Sequence, residues 1–155
     1  MALSNKKKRV LFICTHNAAR SQMAEGRMRA FHGHIYEAFS AGTEPGRVSP
    51  YAIRVMAEIG IDIGAQRAKS LQEFLDQEFD YVVTVCDNAK ESCPYFPGGK
   101  KILHQSFDDP SALTGTEEEI MAGFRRIRDE IRGWILISQL DTSAGYQLST
   151  FPCWG

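Results

Sequence analysis

The stretch Arg9–His32, RVLFICTHNAARSQMAEGRMRAFH, decides the fold. Its first six residues, RVLFIC, are short, β-branched and apolar, the pattern of a buried strand. From Ser21 onward, Met23, Ala24, Met28 and Phe31 fall on one helical face, and Gly33 is placed to stop the helix. Between strand and helix lies Cys14-Thr15-His16-Asn17-Ala18-Ala19-Arg20-Ser21, a CxxxxxR loop. A strand that passes through a short loop into a helix opens an alternating α/β chain.

The rest of the chain continues that alternation. Tyr36–Ser40 reads as a second strand, ended by Ala41-Gly42. Ser49-Pro50 is an N-cap followed by proline at the first helical position, and the helix carries Ile53, Met56 and Ile59 before Gly60. Ser70-Leu71-Gln72-Glu73 has capping-box spacing for a short third helix. Tyr81–Cys86, YVVTVC, is the clearest later strand, and Lys101–His104 is a weaker fourth. Thr116-Glu117-Glu118-Glu119 opens a long helix through Ile120, Phe124, Ile127, Ile131 and Trp134. The expected fold is α/β: a four-stranded parallel sheet flanked by helices on both faces. Ligands of such sheets bind beyond the carboxyl ends of the strands. Cys14 and Cys86 stand at the ends of the two strongest strands.

Length and composition set bounds. The 155 residues suit one domain, expected over 1–140, with 141–155 as an extension. Lysines and arginines number 18 against 19 carboxylates, a net charge of −1. That balance gives no case for nucleic acid or anionic membrane as partner. No segment reaches the roughly 20 apolar residues of a membrane span, and Val10–Cys14 is too short for a signal core. The expected compartment is the cytoplasm, where thiols stay reduced. The cysteines Cys14, Cys86, Cys93 and Cys153 are too few for a disulfide scaffold and lack paired CxxC spacing for zinc.

The loop after the first strand is built as an oxyanion trap. Backbone N–H groups of the loop and of the following helix N-terminus can surround a tetrahedral anion. Arg20 adds a planar fork, and the positive setting suits Cys14 as a nucleophile. Ser21 can donate to its sulfur, and Asn17 tolerates the left-handed conformation that such a loop needs.

Arg9–Gly26, with its RSQMAEG continuation, resembles the phosphate-binding loop of the low-molecular-weight tyrosine phosphatase fold. It is closer still to the thioredoxin-coupled arsenate reductases built on that fold. Ser40-Ala41-Gly42, Asp80–Cys93 (DYVVTVCDNAKESC), Ser106–Pro110 (SFDDP) and Phe124–Ile131 follow in the family's order, so the resemblance spans about residues 8–137. It implies a phosphatase-like fold and reduction of arsenate to arsenite without a metal or organic cofactor. It implies Cys14, Arg20, Cys86, Cys93 and Asp109 as catalytic residues. Thr15, His16, Asn17, Ala18, Ala19, Arg20 and Ser21 would bind the oxyanion: arsenate, with phosphate or sulfate as stand-ins. Asp109 would protonate the departing oxygen, with Asp108 its neighbouring decoy. Electrons would pass from Cys14 to Cys86 to Cys93 and then from thioredoxin.

The pair Cys86/Cys93 separates a reductase from a phosphatase, since a thiol pair can supply two electrons as it becomes a disulfide. If that segment is helical, the two Cα atoms lie about 10 Å apart. A disulfide needs roughly 7 Å or less, so oxidation would unwind it. The sequence departs from relatives at several points. His16 stands where many have glycine, Ala19 where many have a second cysteine, and Ser111 where phosphatases often have tyrosine. Asn17, Glu25 and Ser40 match three positions of a potassium site found in some reductases, but the fourth is Lys69, whose ammonium can replace the cation. Three other readings remain open at this level: a low-molecular-weight tyrosine phosphatase, a non-catalytic oxyanion or redox sensor, and a reductase coupled to a small thiol.

Overall fold

The computed structural model describes residues 6–87 and 96–138. Four parallel strands, β1 (Lys8–Cys14), β2 (Tyr36–Gly42), β3 (Phe79–Thr84) and β4 (Gly99–His104), form one sheet in the order β2-β1-β3-β4. β1 is central, buried from Val10 to Cys14, as its unbroken apolar run requires. Its last residues face Gly42 of β2 and Thr84 of β3: Cys14 pairs with Gly42, and Ile13 with Thr84.

Three α-helices are described: α1 (Arg20–His32), α2 (Pro50–Ala57) and α3 (Glu117–Ser138). All three feed one apolar cluster. Met23, Ala24 and Met28 of α1, Val55 and Met56 of α2, and Phe124, Ile127 and Ile131 of α3 meet Val10 and Phe12 of β1 there. Each fully buried side chain of this kind contributes roughly 1.5–3 kcal/mol. The opposite face carries Leu11, Ile13 and Val82, and Leu71, Phe74, Phe79 and Phe96 cover it. Here the expectation of helices on both faces needs correction among the described residues. The crossover from β2 to β3 covers that second face with the short helix expected after Ser70, which is a 3-10 turn, Leu71–Phe74, and not an α-helix. Its aromatic rings stack edge-on, Phe74 on Phe79 and Phe79 on Phe96, so bulk replaces helical length.

The caps follow the sequence. Ser49 Oγ accepts from the N–H groups of Tyr51 and Ala52. Thr116 and Glu119 bond reciprocally, at 2.8 and 3.1 Å. Gly33 ends α1 for a reason other than handedness. Its φ is −64°, and a Cβ there would lie 2.5 Å from the Arg29 carbonyl oxygen. β3 starts and ends two residues earlier than its apolar run, so Cys86 sits in a bend beyond the strand. Arg125 and Arg128 of α3 both reach Glu58, just past α2, at 2.8 and 2.9 Å. Hydrogen bonds from Arg125, with help from Arg128, hold the Glu58 carboxyl down at about 2.

No helix among the described residues is long and apolar enough to cross a membrane. A cavity between the end of α1 and β2, lined by Lys7, Arg29, Gly33, His34 and Glu37, opens at the amino end of the sheet, away from Cys14.

Candidate active site

Cys14 closes β1 as a free, buried thiol. The loop beyond it is held from outside. The carbonyls of Thr15, His16 and Ala18 accept from the backbone N–H groups of Glu44, Gly46 and Ser49, at 2.9, 3.0 and 2.8 Å. The carbonyl of Asn17 accepts from Gln22 and that of Ala19 from Met23. Every carbonyl from Thr15 to Ala19, each a group that would repel an anion, is thus engaged with protein. The helix that follows has no side-chain cap, since Ala19 fills that position, and its first turn carries no acidic residue. An uncapped helix start favours an anion.

Asn17 has φ 51°, the left-handed conformation expected of it. Its Oδ1 accepts from the backbone N–H of Lys69 at 2.8 Å and from Gln22 Nε2 at 2.9 Å. A backbone N–H can only donate, so this contact fixes which end of the amide is oxygen. Asn17 Nδ2 therefore donates to Ser21 Oγ at 2.7 Å. The single hydrogen of Ser21 is left free for Cys14 Sγ, 2.8 Å away, and donates to it when the sulfur is a thiolate, which can only accept. A hydroxyl that donates to sulfur stabilises the thiolate form. The glycine of Ser40-Ala41-Gly42 is required by close approach: a Cβ at Gly42 would lie 2.6 Å from the Thr15 oxygen and 2.9 Å from the Asn17 nitrogen.

Arg20 is 2% exposed. Its Nη1 donates to the Phe107 carbonyl at 3.3 Å, and its Nη2 lies 3.6 Å from Asp109 Oδ2. The loop holding Asp109 is thereby tied to the anion loop. Asp109 Oδ1 accepts from the N–H and hydroxyl of Ser111, so Oδ2 is the oxygen turned toward Arg20. Asp108 points away and pairs with Arg126 at 3.1 Å, which separates the two neighbouring carboxylates. His16 is exposed and turns its Nδ1 to the Glu44 carbonyl at 3.0 Å.

Cys86 is disulfide-bonded. Its Sγ lies 4.0 Å from the carbonyl oxygen of Ile13, the residue before Cys14. This is a packing contact, because a disulfide sulfur carries no hydrogen. Cys93 and Cys153 lie outside the described residues. Cys86 and Asp87 are not helical, so the helical geometry from which unwinding was expected is absent at the Cys86 end.

Of the potassium-site candidates, Glu25 accepts from Ser40 Oγ and pairs with Arg29, both at close range. Lys69 Nζ sits 3.5 Å from Glu25 Oε1 and donates to the Arg67 carbonyl at 2.8 Å. Burial holds the Lys69 ammonium below the usual lysine range, against the pull of Glu25. Asn17 is turned to Ser21, Gln22 and Lys69 instead. No group of three or more His, Cys, Asp or Glu among the described residues is arranged to hold a metal. Sequence reading missed Gln22 and Gln66. The only signal was a glutamine inside a helical stretch whose residues Arg20–Met28 are all buried.

A parallel sheet whose central strand ends in a cysteine, followed by an anion loop and an arginine-tethered aspartate, defines a phosphatase-like class. The chain matches the family described as low molecular weight phosphotyrosine protein phosphatase over residues 9–142, and it belongs to that family. Within it, an arsenate reductase of Halalkalibacterium halodurans is 46% identical over 125 residues, 81% of this chain and 90% of that protein. A solved structure described as an arsenate reductase in the phosphate binding state has a TM-score of 0.72 at 29% identity. It covers 83% of this chain and 94% of its own. A thioredoxin-dependent arsenate reductase of Corynebacterium glutamicum has a TM-score of 0.64 at 30% identity, over 90% of this chain and 66% of that one.

Proposed function

We propose that this chain is an arsenate reductase that passes electrons through Cys14, Cys86 and Cys93 and is regenerated by thioredoxin. The observation that carries the reading is a free Cys14 at the end of β1 and a disulfide-bonded Cys86 two residues beyond the end of adjacent β3, its sulfur 4.0 Å from the carbonyl oxygen of Ile13. A phosphatase has no use for the second cysteine. The arsenate reductases among its relatives, one of them thioredoxin-dependent, support the same assignment.

The steps are those that the resemblance to the family implies, written out in terms of thiol chemistry. Arsenate binds in the loop of Thr15 to Ser21, its charge met by backbone N–H groups and the Arg20 guanidinium. The Cys14 thiolate attacks arsenic, and Asp109 gives a proton to the departing oxygen, which leaves as water. The Cys86 thiolate then attacks Cys14 sulfur. The sulfur–arsenic bond breaks with its electron pair going to arsenic, which leaves as arsenite. Cys93 attacks Cys86, forming a Cys86–Cys93 disulfide and freeing Cys14. The dithiol of thioredoxin reduces that disulfide. Lys69 fills the potassium position with its own ammonium, so the loop needs no added cation.

The test is arsenate-dependent NADPH oxidation with thioredoxin and thioredoxin reductase, set against hydrolysis of para-nitrophenyl phosphate. Sustained turnover by the parent, and a halt at a Cys14–Cys86 disulfide after one cycle in Cys93→Ser, are expected. Steady turnover of Cys93→Ser overturns the relay. Phosphatase activity with no arsenate-dependent oxidation overturns the reductase and leaves the phosphatase reading, which the same anion loop favours.

A further inference from the structure

Gln22 lies on α1, one residue past Ser21, and is completely buried. A buried primary amide is stable only where its donors and acceptor are met. Here they are met by two segments far apart in sequence. Gln22 Nε2 donates to the Asn17 carbonyl at 3.0 Å, to Asn17 Oδ1 at 2.9 Å and to the Arg67 carbonyl at 2.8 Å. Two of those three acceptors are backbone oxygens, which cannot donate, so the orientation of the amide is settled. Its Oε1 accepts from Gln66 Nε2 at 2.6 Å. Gln66 also donates to the Gln22 carbonyl and accepts from Arg29.

The bonds therefore run one way. Gln66 donates to Gln22, Gln22 to Asn17, Asn17 to Ser21, and Ser21 to Cys14 sulfur once that sulfur is the thiolate. We propose that Gln22 is a positioning residue for Cys14, a link that fixes the direction of the Ser21–Cys14 hydrogen bond from the segment Gln66–Lys69. It touches neither sulfur nor substrate. It holds the Asn17 side chain with its oxygen inward and its nitrogen on Ser21. Without Gln22, Asn17 Oδ1 keeps one donor, Lys69 N–H, which still sets which end of the amide is oxygen, but the side chain can swing about that single contact and carry Nδ2 off Ser21. Ser21 then loses the constraint that sends its hydrogen to sulfur, the Asn17 carbonyl of the loop loses its donor, and Cys14 loses reactivity although no group in contact with its sulfur is changed.

The proposal deepens the functional reading, since it takes Cys14 as the nucleophile. Its test does not depend on arsenate. In the reduced full chain, alkylation of Cys14 by iodoacetamide is followed by mass spectrometry of its peptide across a range of pH. For Gln22→Met, similar in length and without polar atoms, the pH profile of alkylation is expected to move up by about one unit. That is a tenfold slower rate at a fixed pH on its rising limb. Arsenate turnover falls in kcat with little change in KM. A merely structural role would lower stability and leave the profile in place. An unshifted profile in folded Gln22→Met overturns the proposal, whatever becomes of arsenate turnover. If Gln22→Met does not fold, Gln66→Met decides. A smaller shift in the same direction supports the link, and an unchanged profile overturns it.

Discussion

Substitution of Asn17 separates backbone strain, hydrogen bonding and reactivity at one position. Asn17 is fully buried at φ 51°. In Asn17→Ala, Lys69 N–H loses its acceptor, and Gln22 keeps the carbonyls of Asn17 and Arg67. One buried donor left unpaired costs about 1–3 kcal/mol. The left-handed backbone adds about 1 kcal/mol for an alanine, from the clash of its Cβ. A total near 3 kcal/mol follows, of which Asn17→Gly avoids roughly the last 1 kcal/mol. Asn17→Asp gives a different pattern. Its carboxylate still accepts from Lys69 and Gln22, so stability falls less than in Asn17→Ala. Its second oxygen faces Ser21 as an acceptor and draws the hydroxyl hydrogen away from Cys14. Urea unfolding of the three reduced variants and the rate of Cys14 alkylation measure the two effects. Equal stabilities for the alanine and glycine variants would refute the strain at this position. An Asn17→Asp protein as reactive as the parent would refute the direction assigned to the Ser21 bond.

Other outcomes are open to test. Arg20→Lys keeps the charge and loses the planar fork, so kcat/KM for arsenate in the thioredoxin-coupled assay should fall roughly 10- to 150-fold, the equivalent of one charged hydrogen bond. Glu58 is held at about 2, against an ordinary 4.5, by Arg125 and Arg128. Its contribution is therefore complete above pH 4.5 and is lost as pH falls toward 2. The difference in urea midpoint between the parent and Glu58→Gln should shrink over that window; a constant difference counts against the clamp between α2 and α3. Lys69→Gln removes the ammonium beside Glu25, so its arsenate turnover should become responsive to added potassium while the parent's does not. Equal response of both proteins would show that Lys69 is no substitute for the cation.

What could be read from the residues depended on how local each determinant is. β1 and the anion loop are contiguous, and Cys14, Asn17, Arg20 and Ser21 stand in the structure as their spacing implied. The caps at Ser49 and Thr116 are also local, each closing within three residues. β3 lies two residues earlier than its apolar run implies. Val85 and Cys86 are as apolar as the strand, yet the chain bends at Cys86. Phe79, one residue before an acidic Asp80, proved to be a core anchor. The short helix at Leu71–Phe74 is legible from its Ser70 cap, but its 3-10 type is not, because the capping signal is the same as that of an α-helix. Gln22 was illegible for a further reason. Its partner Gln66 lies 44 residues away, and a glutamine on a helix is ordinarily a surface residue.

The segment after β2 shapes the anion loop through main-chain donors alone, at Glu44, Gly46 and Ser49. Side chains at Glu44 and Gly46 are thus released from the task, while that of Ser49 is held to its second role as the cap of α2. Proline is barred at all three, because it lacks the N–H. Proline in fact stands at position 45, between two of the donors, where no loop carbonyl draws on its nitrogen. There its ring narrows the unfolded ensemble and stiffens the brace. The catalytic loop thus rests on a support that can drift widely in composition while its outline stays constant. Variation along 44–49 across relatives should accordingly be broad in chemistry and narrow in length.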